Sequence, residues 1–227
     1  MSRRKHPVIA IDGPAGAGKS TIAARLARTL GYLNIETGAM YRALALKALE
    51  MGAALDNAAA MEALARSSGI ELVASPSGNR VRLDGRDVSE RIREADVTAA
   101  ASRVSVHPGV RAWMVARQRD LGARGGIVME GRDIGTAVFP DAEVKIFLDA
   151  APEVRAGRRV NQQSQSGNAA SHNAVAQEMK ERDRRDQTRA ISPLTPAADA
   201  AIIDSSRLGV DEVVRRIEEI VRNKLGE

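Results

Sequence analysis

The sequence predicts an α/β fold, a parallel sheet covered by helices on both faces with a small antiparallel patch set into it. Three observations carry that prediction. Four short apolar runs rich in β-branched residues alternate with segments of helical spacing, the pattern of a parallel sheet. The first run enters a glycine-rich loop that leads directly into a helical segment. Between residues 70 and 85 the texture changes to short alternating segments bounded by turn residues.

Taken in order, Val8–Ile11 is a buried strand that ends at Asp12-Gly13. Residues 20–30 carry apolar side chains at 22, 23, 26, 27 and 30, and Gly31 stops that helix. A second helix fits 39–51 and closes at Gly52, and the Ala-rich stretch 53–66 fits a third. Residues 70–74 and 80–83 pair as short strands, with 75–79 and Asp84-Gly85 as turns. Helical periodicity returns over 97–121, interrupted at His107-Pro108-Gly109. Residues 126–129, 144–148 and 200–204 are further strands, and 211–224 is a closing amphipathic helix. Residues 161–173 form a Gln/Ser/Asn/Gly-rich stretch expected to be mobile, followed by the charge run Lys180–Asp186. No internal repeat is present.

Composition excludes several classes of function. The 227 residues include only five aromatics, too few for a platform that stacks nucleic-acid bases. With no Cys there is no disulfide scaffold, thiolate zinc site or cysteine nucleophile, and the three His have no ligand spacing. Net charge is +5, and all but six of the 34 cations are Arg, which suits forked contacts to phosphate or carboxylate. The basic start at Met1–Pro7 precedes only four apolar residues, too few for a signal peptide. No apolar stretch approaches the ~20 residues of a membrane span. The expectation is a soluble cytoplasmic protein.

Gly13-Pro14-Ala15-Gly16-Ala17-Gly18-Lys19-Ser20 fits G-x-x-x-x-G-K-[ST] at every fixed position, between a strand and a helix, with Thr21 following. Its glycines let backbone N–H groups curl around phosphates, and the helix start adds partial positive charge. Lys19 reaches the β- and γ-phosphates, and Ser20 is the residue type that ligates the Mg²⁺ arriving with ATP. A GTPase would add an N-K-x-D box, which is absent. A small-molecule kinase remains, and it requires further Arg for a second anionic substrate.

Arg182, Arg185 and Arg189 stand at i, i+3 and i+7, so one helix would align them. A shared polyanion would relieve their repulsion; alternatively, Asp183 and Asp186 offset them as a solvated ion-pair face. Gly131-Arg132-Asp133 follows a strand at the carboxyl end, where open α/β sheets bind ligands. Glu130 either holds a magnesium-bound water or pairs with Lys19. Thr37 and Arg42 flank a helix start suited to phosphate, though a Thr N-cap reads the same way.

Together these residues resemble the bacterial cytidylate kinases, a family of P-loop nucleoside monophosphate kinases. The resemblance runs through Ile11–Thr21, Thr37–Arg42, Gly131–Asp141, Lys145–Asp149 and Arg182–Arg189, nearly the whole length. It implies ATP-dependent, in-line phosphorylation of CMP and dCMP within pyrimidine nucleotide metabolism. It also implies a single domain over 1–227 with a three-layer P-loop core, a monophosphate-binding insert at 56–97 and a helical lid at 155–190. On that resemblance Arg111 and Asp133 fall where the base is read, with Ser102 nearby. Arg42, Arg132 and Arg189 fall on acceptor-phosphate contacts, Asp186 on the ribose hydroxyls, and Arg182 on a lid arginine. Thr37 and Glu130 stand where Ser and Asp are familiar, and both keep the functional group. The implied catalytic set is Lys19, Arg132, Arg182 and Arg189, in a monomer that binds neither nucleic acid nor membrane.

An acceptor phosphate with a second pKa near ~6 is already anionic at neutral pH, so positioning and electrostatics suffice without a general base. Asp133 is then a recognition group that accepts from the cytosine N4 amino group, unless it merely orients Arg132. The competing readings are a kinase for another monophosphate or for shikimate, and an ATP- or RNA-dependent binding protein.

Overall fold

The run from Val8 forms a wholly buried strand, β1 (Val8–Asp12), at the centre of a five-stranded sheet in a computed structural model that describes residues 4, 6–73, 79–165 and 171–226. Its neighbours are β6 (Ile127–Glu130) and β7 (Val144–Asp149), with β2 (Leu33–Glu36) and β8 (Ala201–Asp204) at the two edges. Every pairing is parallel, and Ile11 stands opposite both Glu130 and Ile146. Side chains alternate across the strands. Ile9, Ile11 and Ile146 pack under α1 (Lys19–Leu30) and α8 (Val210–Leu225). Val8, Ala10 and Met129 face the opposite layer with Ile134 and Phe139.

A second apolar cluster joins α2 (Thr37–Glu50), α3 (Ala58–Arg66), α4 (Ala95–Val104) and α5 (Pro108–Gly122) to an antiparallel sheet of β3 (Ile70–Val73), β4 (Arg80–Leu83) and β5 (Arg86–Asp87). Asn79 Nδ2 donates to Asn34 O at 2.7 Å and ties the start of β4 to edge strand β2. The sequence-expected turn at 75–78 and the last residue of the first short strand, Ala74, lie outside the described residues.

Several expectations are corrected. β2 was unread because its alternating Leu-Asn-Ile-Glu contains no apolar run, and Leu33 is 53% exposed at the sheet edge. α3 begins at Ala58 because the Asn57 side chain accepts from the Ala60 N–H and caps it there. α2 starts at Thr37 itself, so Thr37 is not an N-cap; its hydroxyl instead donates to Glu130 O at 2.8 Å. Of the polar stretch 161–173, the described residues 161–165 and 172–173 are helical. α6 (Pro152–Gln165) runs through its Gln residues, which are good helix formers, and α7 (His172–Thr188) starts under a Ser171 cap. Residues 166–170 of that stretch lie outside the described residues. Finally, α7 stops before Arg189, whose backbone is extended. The chain folds back there, with Ser192 at φ 51° and the Leu194 N–H donating to Asp186 O, so Arg189 leaves the helical face of Arg182 and Arg185.

Candidate active site

All the parallel strands deliver their carboxyl ends to one rim, and a cavity of about 840 Å³ opens there. Beyond Asp12 the chain turns through Gly13–Gly18 into α1. Gly13 has φ +148°, and a Cβ on it would stand 2.0 Å from Leu148 O, so only glycine fits. Two guanidinium groups of α6 grip the loop from outside: Arg155 donates to Ala15 O at 3.0 Å and Arg158 to Ala17 O at 3.2 Å. Arg155 also meets Asp183 of α7 in a buried ion pair.

Lys19 is 5% exposed, and its Nζ donates to Pro14 O at 2.7 Å. Burial, reinforced by Arg132 and Arg182 and opposed by Glu130 and Asp12, lowers its pKa to about 7. Glu130 does not pair with Lys19: it accepts from Ser20 Oγ at 3.0 Å, and burial raises its pKa. Asp12, at the tip of β1, is pushed up to about 6, chiefly by burial.

The other half of the cavity is a string of buried charges. Arg111, 2% exposed, donates to Asp133; Asp133 lies 3.5 Å from Arg189, and Arg189 lies 3.9 Å from Asp186. Asp186 in turn accepts from Arg132 Nε at 2.9 Å. Asp133 therefore serves Arg111 and Arg189, not Arg132 as the alternative reading had it. Burial alone would raise the Asp186 pKa, but Arg132 and Arg182 outweigh it and hold the carboxyl low. Arg42 pairs with Glu36, and Arg185 Nε donates to Ser102 Oγ at 3.1 Å. Arg182 makes no hydrogen bond or ion pair among the described residues; burial first, then Arg132, lowers its pKa to about 10. Buried nitrogens of Arg42, Arg111 and Arg189 have no hydrogen-bond partner among the described residues.

Ala15–Thr21, Thr37, Arg42, Ser102, Arg111, Arg132, Asp133, Arg182, Asp186 and Arg189 all line this one cavity. Gly13 and Pro14 do not; Pro14 borders a separate space of about 280 Å³ behind the loop. Sequence reasoning gave no role to Tyr41, Arg93 and Arg158, which also line the cavity, or to Asp12, which supports it. Arg155 and Arg158, spaced i, i+3 after the strand at 144–148, are the pattern from which Arg158 could have been found.

The family model described as cytidylate kinase matches residues 9–223. A cytidylate kinase from Solibacter usitatus is 50% identical over 226 residues, spanning 99% of this chain and 96% of its own. A cytidylate kinase from Pelotomaculum thermopropionicum is 52% identical over 93% of this chain and 94% of its own. Among solved structures, an uncharacterized protein from Eubacterium ventriosum aligns with TM-score 0.52 at 15% identity, covering 95% of this chain and 98% of that one. That last likeness bears on the fold alone.

Proposed function

We propose a reaction for this cavity from one premise: the chain belongs to the cytidylate kinase family. It is a kinase that phosphorylates CMP and dCMP with ATP as donor. The observation that carries this assignment into the geometry is a single cavity shared by the P-loop, with Lys19, and a ring of arginines around a buried carboxylate. Steady-state phosphorylation of CMP, dCMP, UMP and AMP tests it; cytidine monophosphates are the expected acceptors, and preferred turnover of AMP would overturn the assignment.

Ala15–Thr21 bind ATP, with Lys19 against the β- and γ-phosphates, and Gly13 and Pro14 shape the loop from behind. Arg42, Arg132 and Arg189 hold the acceptor phosphate, and the buried Arg42 Nε–H, which has no partner among the described residues, supports this, since such a donor demands an acceptor. Thr37 and Asp186 line the acceptor side, with Asp186 at the ribose. Arg111, Asp133 and Ser102 receive the base. Arg182, which makes no hydrogen bond or ion pair among the described residues, meets the transferring phosphoryl group. The acceptor phosphate is anionic at neutral pH, so these residues position it in line with the donor and stabilise the charge that spreads in the transition state.

Ser20 Oγ and Glu130 Oε1, 3.0 Å apart, are the oxygen donors a magnesium ion takes, so the residues present fit a metal carried in with ATP. When bound, Mg²⁺ neutralises charge on the phosphate oxygens. We read residues 155–190 as a lid and 56–97 as the insert that helps enclose the monophosphate. Among the described residues no helix is long and apolar enough to cross a membrane. We read the protein as a cytoplasmic monomer that uses free nucleotides, not polynucleotides.

Two results follow. Arg189→Met is expected to lower kcat and raise the KM for CMP together, each by about tenfold, because one guanidinium holds the acceptor and steadies the reacting group. A change confined to the KM for ATP would move Arg189 out of the acceptor site. Separately, Lys19 titrates near 7 in the free protein. Donor phosphates favour its charged form, so ATP binding at pH 8 should take up about one proton, falling toward none below pH 7. Calorimetry in buffers of different ionisation enthalpy reads this directly, and zero uptake at pH 8 would remove Lys19 from the phosphates.

A further inference from the structure

A buried carboxylate that the reaction does not use stands at the root of both substrate sites. Asp12 ends β1 and immediately precedes the phosphate-binding loop, yet its side-chain hydrogen bonds go to another segment. Its two carboxylate oxygens each accept one backbone N–H, from Ile134 at 2.8 Å and from Gly135 at 2.8 Å. These are the first two N–H groups of a single π-turn, Ile134–Val138, closed by Val138 N–H to Asp133 O and Phe139 N–H to Ile134 O. The residue that opens the turn is Asp133, held at φ −151° and ψ 27°. Turns of this wide type are rare and leave their first donors without partners, so something must hold them. Close packing removes slack from the other side: a Cβ on Gly135 would stand 3.2 Å from the Lys145 side chain and 3.5 Å from Asp12 Oδ2.

We infer that Asp12 is a positioning residue for base recognition: by holding the Ile134 and Gly135 N–H groups it fixes the turn that aims Asp133 at the acceptor base. The inference rests on the reading that Asp133 recognises cytosine. It makes Asp12 a specificity determinant that touches neither nucleotide. A carboxylate is required because both contacts come from donors. Asn offers one acceptor, and its amide nitrogen opposes the second N–H. Loss of one contact lets the turn shift, and displacements of about 1 Å at a recognition group cost up to about a hundredfold.

The experiment compares Asp12→Asn and Asp133→Ala with the unmodified protein, measuring kcat/KM for CMP and UMP and the KM for ATP. The expected result is a fall of about tenfold in the CMP-to-UMP ratio for both variants, with the KM for ATP of Asp12→Asn within about twofold of the original. If Asp133→Ala lowers the ratio and Asp12→Asn leaves it intact, the positioning role is overturned while the base-reading role of Asp133 stands. If neither variant moves the ratio, the reading of Asp133 fails and takes this inference with it. Equal loss for CMP, UMP and ATP in Asp12→Asn indicates general damage and also overturns it.

A measurement on the unmodified protein decides the matter if Asp12→Asn does not fold. The charged groups acting on Asp12 are Asp133, which raises its pKa, and Lys19, which lowers it, with burial dominant. The Ile134 and Gly135 amide proton resonances should therefore move together through one titration near pH 6. Amides that titrate separately, or not at all, would show that the carboxylate does not hold the turn.

Discussion

Lys19→Ala is expected to lower kcat by about 10²- to 10³-fold, the scale seen when one preorganised charge is removed from a transition state. The size follows from the environment: Lys19 is 5% exposed and tethered to Pro14 O, so its ammonium acts from a fixed point with little screening. A variant that keeps a third of the original kcat would take Lys19 out of this role. The same burial makes the residue a liability for stability. Its folded pKa, about 7, lies below the value of a solvated lysine, so the unfolded chain binds the proton more tightly. The penalty is full below pH 7 and fades as pH rises toward 10. Lys19→Met, which keeps the stem without the charge, should therefore melt above the original at pH 7, with the gap closing toward pH 10. A Met variant that melts lower at pH 7 would contradict the burial penalty.

What could be read from the chain, and what could not, divides by how local the cause is. β1, the phosphate loop and α1 were legible because their determinants lie within a few residues: a β-branched run, glycines at fixed spacing, an apolar face and a Gly31 stop at φ 67°. β2 was not, because an edge strand needs only half an apolar pattern and draws its pairing from β6, distant in sequence. Arg189 was placed on a helix face by spacing, but the reversal around Ser192 and the Leu194 bond to Asp186 O end α7 first. The result brings Arg189 beside Asp133, a contact that no helical wheel contains. Asp12 was the least legible of all. Its partners lie 122 and 123 residues away and are backbone N–H groups, which carry no residue signature. A lone carboxylate at the tip of a fully buried strand was the available clue.

Base choice should turn on Asp133. A carboxylate accepts from the N4 amino group of cytosine and repels O4 of uracil, and one such pairing is worth about 1–3 kcal/mol of discrimination. Asp133→Ala is accordingly expected to lower the CMP-to-UMP ratio of kcat/KM by about ten- to a hundredfold. The structure adds a cost common to both substrates: without Asp133, the buried Arg111 and Arg189 lose their shared counter-ion. Both activities should therefore fall in absolute terms, and only the ratio isolates recognition. Arg111→Met removes the same pair from the other side. Its effect should combine non-additively with that of Asp133→Ala, because the two residues form one buried unit. Asp133→Asn separates charge from shape: its amide nitrogen can donate to uracil O4, so UMP should improve relative to CMP even where overall turnover is low. If Asp133 only neutralises its two arginines, Asp133→Ala weakens CMP and UMP by the same factor. A ratio unchanged in side-by-side assays would then leave cytosine selection to some other group, with the kinase assignment and its phosphate loop untouched.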